Sequence, residues 1–150
     1  MNYEIVTLAE KKVAGYSART NNASPDMGKI IGGLWEKFYS PNGYPTIPDS
    51  AKGKALGIYT DYATDEKGDY TTMAACEVNT EDIPAELEVR KLPAGKYAKF
   101  IVKGNMHTAV AEFWTKLWQM NLNRAFICDF EEYQNSDCEN AEIHIYISLK

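Results

Sequence analysis

The chain is poor in the residues that build covalent or metal-held scaffolds. It has three cysteines, two histidines and six prolines. Cys76, Cys128 and Cys138 are odd in number and show no C-x-x-C spacing, which argues against a disulfide framework or a zinc ribbon and fits a reducing compartment. His107 and His144 are far apart and neither belongs to an H-E-x-x-H pattern. A metal held by His144, Asp129 and Glu142 has no motif behind it, so no metal and no cofactor are expected. Gly28, Gly32 and Gly33 are not followed by the G-K-[ST] ending of a phosphate loop, and no G-x-S-x-G element occurs. No apolar run approaches the roughly 20 residues of a membrane span, and Met1 to Leu8 lacks the basic start of a signal peptide. The expectation is a cytoplasmic protein. Positive charge is also scarce: 16 Lys and Arg against 21 Asp and Glu give −5 and a pI near 5.1, which argues against direct nucleic-acid binding.

What the chain does have is aromatic side chains. Ten tyrosines, five phenylalanines and three tryptophans amount to 12% of 150 residues, which fits a core plus something else: either an interface or a pocket for flat apolar ligands. The length fits one domain over residues 1–150. Strands are expected at Tyr3–Arg19 (broken at Glu10-Lys11-Lys12), Lys54–Tyr62, Tyr70–Val78, Glu88–Leu92, Lys96–Val102, Phe126–Tyr133 and Ala141–Leu149. Ile30, Ile31, Leu34, Trp35 and Phe38 follow the spacing of one helix face, with N-cap chemistry in Ser24-Pro25-Asp26. A second helix is read over Thr108–Asn121. Gly32-Gly33 inside the first helix is read as allowing close approach to the sheet.

The order strand, helix, strand, strand occurs twice. Leu34-Trp35-Glu36-Lys37-Phe38 matches Phe113-Trp114-Thr115-Lys116-Leu117, and Tyr59-Thr60-Asp61-Tyr62 matches Phe130-Glu131-Glu132-Tyr133. The fold class is therefore α+β. Two pseudo-twofold β-α-β-β modules, at about 1–80 and 86–150, share an antiparallel sheet, and two main helices flank a ligand cleft at the seam. In the last strand Ile143, Ile145 and Ile147 alternate with His144, Tyr146 and Ser148; in the strand before it Asp129, Glu131 and Tyr133 share a face. A carboxylate at Glu131, desolvated among aromatic rings, is suited to lipophilic cations; the plainer alternative is a solvated acidic strand face.

Phe130-Glu131-Glu132-Tyr133, the closing Glu142-Ile143-His144-Ile145-Tyr146-Ile147, and Gly57-Ile58-Tyr59-Thr60-Asp61-Tyr62, set within the duplicated order, resemble the GyrI-like effector-binding domain. This is the ligand-sensing domain of AraC-type and MerR-type bacterial regulators; here its stand-alone branch is resembled, over essentially the whole chain. The resemblance implies multidrug-type small-molecule binding, with Glu131 as ligand-contacting glutamate and Tyr146 as pocket tyrosine. Ser148 stands where the family often has proline. Tyr133, Trp35, Trp114, Trp118, Tyr59 and Tyr16 are further ligand-binding candidates, and Tyr62 and Met73 possible wall residues; for each, core packing is the alternative.

Three functions compete. The first is binding of an amphipathic or cationic organic molecule by a stand-alone sensor or sequestering protein, with transcription reached only through a separate DNA-binding regulator. The second is hydrolysis of small electrophiles by Glu131 with Tyr146 or Tyr133. The third is a protein-binding, gyrase-inhibitor-like role. The reading leans away from an enzyme.

Overall fold

Period-two segments rich in β-branched and aromatic residues become strands, and the two amphipathic segments become helices. In the computed structural model, which describes residues 1–150, the strands are β1 (Glu4–Leu8), β2 (Lys11–Thr20), β3 (Lys52–Thr60), β4 (Tyr70–Val78), β5 (Glu88–Leu92), β6 (Gly95–Gly104), β7 (Cys128–Tyr133) and β8 (Ala141–Ser148). The helices are α1 (Met27–Phe38) and α2 (Met106–Trp118). All eight strands form one antiparallel sheet in the order β1-β6-β8-β7-β3-β4-β2-β5, so the class is α+β. No helix is long and apolar enough to cross a membrane.

The strand order is symmetric about the β7–β3 pair: β1, β6, β8 and β7 on one side answer to β5, β2, β4 and β3 on the other. The two short strands are exchanged. β1 precedes the first module in sequence but pairs with β6 of the second, and β5 precedes the second module but pairs with β2 of the first. Only Pro93 and Ala94 separate β5, at one end of the sheet, from β6, next to the other end. So short a link reaches about 10 Å, and the sheet must curl until its ends approach. Inside the curl Val13, Ile58, Met73, Leu92, Tyr97 and Phe130 pack into one cluster, closed by Val6 and Leu8 of β1.

The helices lie outside the curl. Leu34 and Phe38 of α1 pack on Ala14, Ala74 and Cys76 of β2 and β4. Phe113 and Leu117 of α2 pack on Phe100, Ile143 and Ile145 of β6 and β8. Each such large side chain contributes about 1.5–3 kcal/mol when fully buried. Because the helices cover the outer strand pairs, the central β3–β7 pair lies between them. The matched i, i+4 anchors also place Trp35 and Trp114, one residue past the first anchor of each helix, on opposite sides of that gap.

Two local expectations differ. Asp26 makes no side-chain cap bond to α1, whereas Asn105 caps α2 by accepting from the backbone N–H of His107 and of Thr108. The second helix thus starts earlier than its apolar pattern indicates. Gly32 and Gly33 are exposed, and a Cβ at either, or at Gly28, would meet nothing within 4 Å. They do not serve close packing on the sheet. Instead each costs α1 about 0.5–1 kcal/mol relative to alanine. Cys76 and Cys128 are buried, and burial pushes their thiols up to about 11 and about 12, so both stay protonated and inert.

Candidate functional site

Register puts a carboxylate under the gap. Glu131 of β7 lies opposite Gly57 of β3 and Ile145 of β8. Opposed residues share a face, so Glu131 points to the helix side together with Tyr59 and Tyr133. It is 3% exposed. Its Oε2 accepts from the Trp114 indole N–H at 2.7 Å and from the Tyr59 hydroxyl at 3.2 Å, while Oε1 accepts from the Tyr133 hydroxyl at 2.8 Å. All three donors are neutral, and no cationic side chain pairs with the group. Burial raises the Glu131 pKa above the ordinary carboxylate value; the bonds from Trp114, Tyr133 and Tyr59 oppose this without cancelling it. Burial first, and the Glu131 charge second, push the Tyr59 and Tyr133 hydroxyls well above the phenol range, so both act as proton donors.

Aromatic rings enclose this carboxylate from both helices. Trp114 meets the Tyr59 ring edge-on at 5.3 Å, and Trp35 meets Tyr133 edge-on at 5.6 Å. Gly57 supplies the missing volume. A Cβ there would lie 2.8 Å from Glu131 Oε1 and 3.5 Å from Trp35 Cζ2. Gly57→Ala should therefore displace the carboxylate from its donors and cost about 1–3 kcal/mol, read as a lowered urea midpoint. An unchanged midpoint would mean that the glycine is incidental.

Above lies a cleft of about 260 Å³ between the helices. Ile31 of α1 and Ala111, Trp114 and Trp118 of α2 form its sides, and Tyr59 and Tyr70 its floor. Trp118 is 44% exposed and stands at the rim. Glu131 is not in the cleft wall; it lies one layer behind, bonded to Tyr59 and Trp114, which are. Asp129, two residues along the same face, is fully buried and does have a cation. Its Oδ2 accepts from Arg124 Nη2 at 2.7 Å and the Tyr62 hydroxyl at 2.6 Å; its Oδ1 accepts from the Ser148 backbone N–H at 2.8 Å and hydroxyl at 3.2 Å. Tyr62 and Arg124 both line the cleft.

Of the expected residues, Tyr59, Trp114 and Trp118 line the cleft, while Glu131, Tyr133 and Trp35 lie together next to it without lining it; Tyr146, Tyr16 and Met73 lie elsewhere. Tyr146 is opposite Phe130, stacked on it at 4.8 Å, within the cluster inside the curl. It faces away from Glu131, because odd residues of β7 pair with odd residues of β8 and a pairing parity of one residue decides the face. Tyr16 packs under α1, its hydroxyl donating to the Asn42 carbonyl at 3.4 Å. Met73 also lies inside the curl. The same parity puts Asp129 and His144 on opposite faces, so they cannot ligate one metal. Sequence reasoning missed Gly57, Tyr70 and Arg124. A glycine inside a strand was the available signal for the first; nothing local marked the other two.

Against known proteins, the chain matches the profile of the Cass2 family, described as integron-associated effector binding protein, over residues 4–149. Among solved structures it resembles integron cassette protein VCH_CASS2 from the mobile metagenome of Vibrio cholerae, with 29% identity, a TM-score of 0.82, and coverage of 99% of this chain and 95% of that one. It shares its fold with SAV2435, solved bound to tetraphenylphosphonium, at 20% identity and a TM-score of 0.79, covering 100% and 94% of the two chains. It shares it also with the C-terminal domain of EcmrR, at 16% identity and a TM-score of 0.57, covering 100% and 99%. No curated protein sequence matches. A profile match over nearly the whole length, on a duplicated sheet with a walled central cleft, shows that the chain belongs to the family of integron-associated effector-binding proteins.

Proposed function

We propose that this protein binds a small amphipathic organic cation in the cleft between α1 and α2, with Glu131 as the charge that selects it. The observation that carries the reading is a buried glutamate with three neutral aromatic donors and no cation of its own. Such a group is short of positive charge, and the surrounding rings add about 0.5–2 kcal/mol per good cation–π contact. Because Tyr59 and Trp114 separate Glu131 from the cleft, a bound cation meets their rings first and feels the carboxylate through them, in surroundings of low dielectric. The tetraphenylphosphonium held by SAV2435, a protein of the same fold, is a ligand of this chemistry. The chain then acts as a sensor or sequestering protein. Hydrolysis with Glu131 as general base has less support: both its oxygens already accept hydrogen bonds and neither belongs to the cleft wall.

Titration of tetraphenylphosphonium, followed by tryptophan quenching, tests this. The raised Glu131 pKa fixes the sign of the pH dependence. The cation favours the ionised carboxylate, so affinity should rise with pH through the range above the ordinary carboxylate value, with a proton released on binding at the lower end. In the free protein the sign is opposite. The native state holds this proton more tightly than the unfolded chain, so the stability Glu131 contributes is complete below the unfolded pKa and is lost as pH rises through the native one. The ligand-induced rise in Tm should therefore be larger at pH 7.5 than at pH 5. No quenching, or a Tm shift independent of pH, would sink the proposal.

A further inference from the structure

The donors of Arg124 are not used up by the contacts described so far. Its side chain is 7% exposed and lines the cleft. Nη2 donates to Asp129 and Nε is buried without a partner; Nη1 bonds nothing in the protein and, unlike Nε, keeps accessible surface, so it is the donor that a ligand in the cleft can reach. A guanidinium carries five N–H donors and no acceptor, and a buried donor left unpaired is unfavourable. The group is also held in place. Its Cζ lies over the Phe126 ring, 4.3 Å from the centroid, and Phe126 takes a φ of +54°, in the left-handed region that aromatic residues seldom use. Strained backbone of this kind persists where the surroundings over-determine it, often at binding sites.

We infer that Arg124 is a second recognition group of the cleft, donating a hydrogen bond to a neutral oxygen acceptor (a ketone, ester or ether) carried by the cationic ligand. The inference rests on the reading of the cleft given above. Asp129 already balances the arginine's charge, so Arg124 offers the cleft directed donors rather than net positive charge and does not repel a cation. An anionic acceptor would meet Asp129 on the same guanidinium and Glu131 two residues further along the same face. The preferred ligand therefore has two poles: a cationic aromatic body toward Trp114 and Tyr59, and an oxygen toward Arg124.

Two probes of equal charge and nearly equal size separate the contributions: 4-benzoylphenyltrimethylammonium, with a ketone between its rings, and 4-benzylphenyltrimethylammonium, with a methylene there. By isothermal titration calorimetry the wild-type protein should bind the ketone about tenfold more tightly, as for one hydrogen bond from a charged donor. Arg124→Lys keeps a cation for Asp129 and removes the fork, and the ratio should fall to about one. Equal binding of both probes by the wild type overturns the inference and leaves the cleft reading standing. Binding of neither overturns both. A preference that survives in a folded Arg124→Lys protein, verified by circular dichroism, assigns the discrimination elsewhere and also overturns it. The wild-type ratio does not depend on the variant folding.

Discussion

Glu131→Gln is expected to weaken tetraphenylphosphonium binding by more than about tenfold while sparing a neutral aromatic such as triphenylphosphine oxide. The substitution keeps the shape of the site. The amide oxygen can accept from Trp114 and Tyr59, and the amide N–H₂ can donate to Tyr133, whose hydroxyl is free to turn and accept. Only the charge disappears. The stability of the same variant should change less with pH, because the amide removes a buried carboxyl whose pKa the native state raises. Quenching titrations with both ligands, alongside thermal melts at several pH values, read both effects. Equal losses for the cation and the neutral compound would mean that Glu131 shapes the site without providing its charge.

Asp129→Ala should be the most damaging single change for the fold, costing about 3–5 kcal/mol. It would leave the buried Arg124 guanidinium without its counter-ion and remove the acceptor of the Tyr62 hydroxyl and the Ser148 backbone N–H together. Asp129→Asn should cost less, since one amide oxygen can still serve some of these donors. Urea denaturation with free fits of midpoint and slope measures both. A loss below about 1 kcal/mol for the alanine variant, the range of a surface pair, would show that the cluster tolerates opening. Although Asp129 and Glu131 sit on one face of β7, the first is committed to the architecture through an ion pair and the second has neutral hydrogen-bond donors but no counter-ion.

What could be read from the residues follows from the range of the forces involved. The bounds of β4 and β5 were legible because turn residues and alternation are local. The duplication was legible because the two tryptophan-bearing helix faces repeat each other, and with it came the pairing of Trp35 and Trp114 about a seam. Alternation puts Glu131 and Tyr133 on one face of β7 but leaves a solvated acidic face as the plainer reading; the resemblance singles out Glu131, and Tyr59 is legible only as a candidate wall residue with core packing as its alternative. Tyr146 could not be assigned correctly, since its face depends on whether the turn after β7 brings Phe130 or Glu131 opposite it, and composition does not determine that count. Tyr16 was hidden for a different reason: the large aromatic that seals α1 looks the same in sequence as one that lines a pocket. Arg124 reaches Asp129 across only five residues, but through an irregular segment whose positive φ at Phe126 has no glycine to announce it.

The exchange of β1 and β5 has a consequence for how the molecule comes into being. β1 cannot find its pairing partner until β6 exists, because Leu8 sits opposite Gly95. A nascent chain that has emerged only as far as β4 therefore carries an orphan first strand and an open sheet edge. Contacts this distant in sequence are expected to close late and to slow folding. The same geometry describes an assembly of two shorter chains. Two identical half-length polypeptides, each lending its first strand to the other's sheet, would generate this strand order by rotation about the β3–β7 axis. Tandem fusion through the stretch between β4 and β5 turns that reciprocal dimer into one polypeptide. In one polypeptide the two halves need not be identical, so a site on the pseudo-twofold axis can hold a tyrosine from one half and a glutamate from the other.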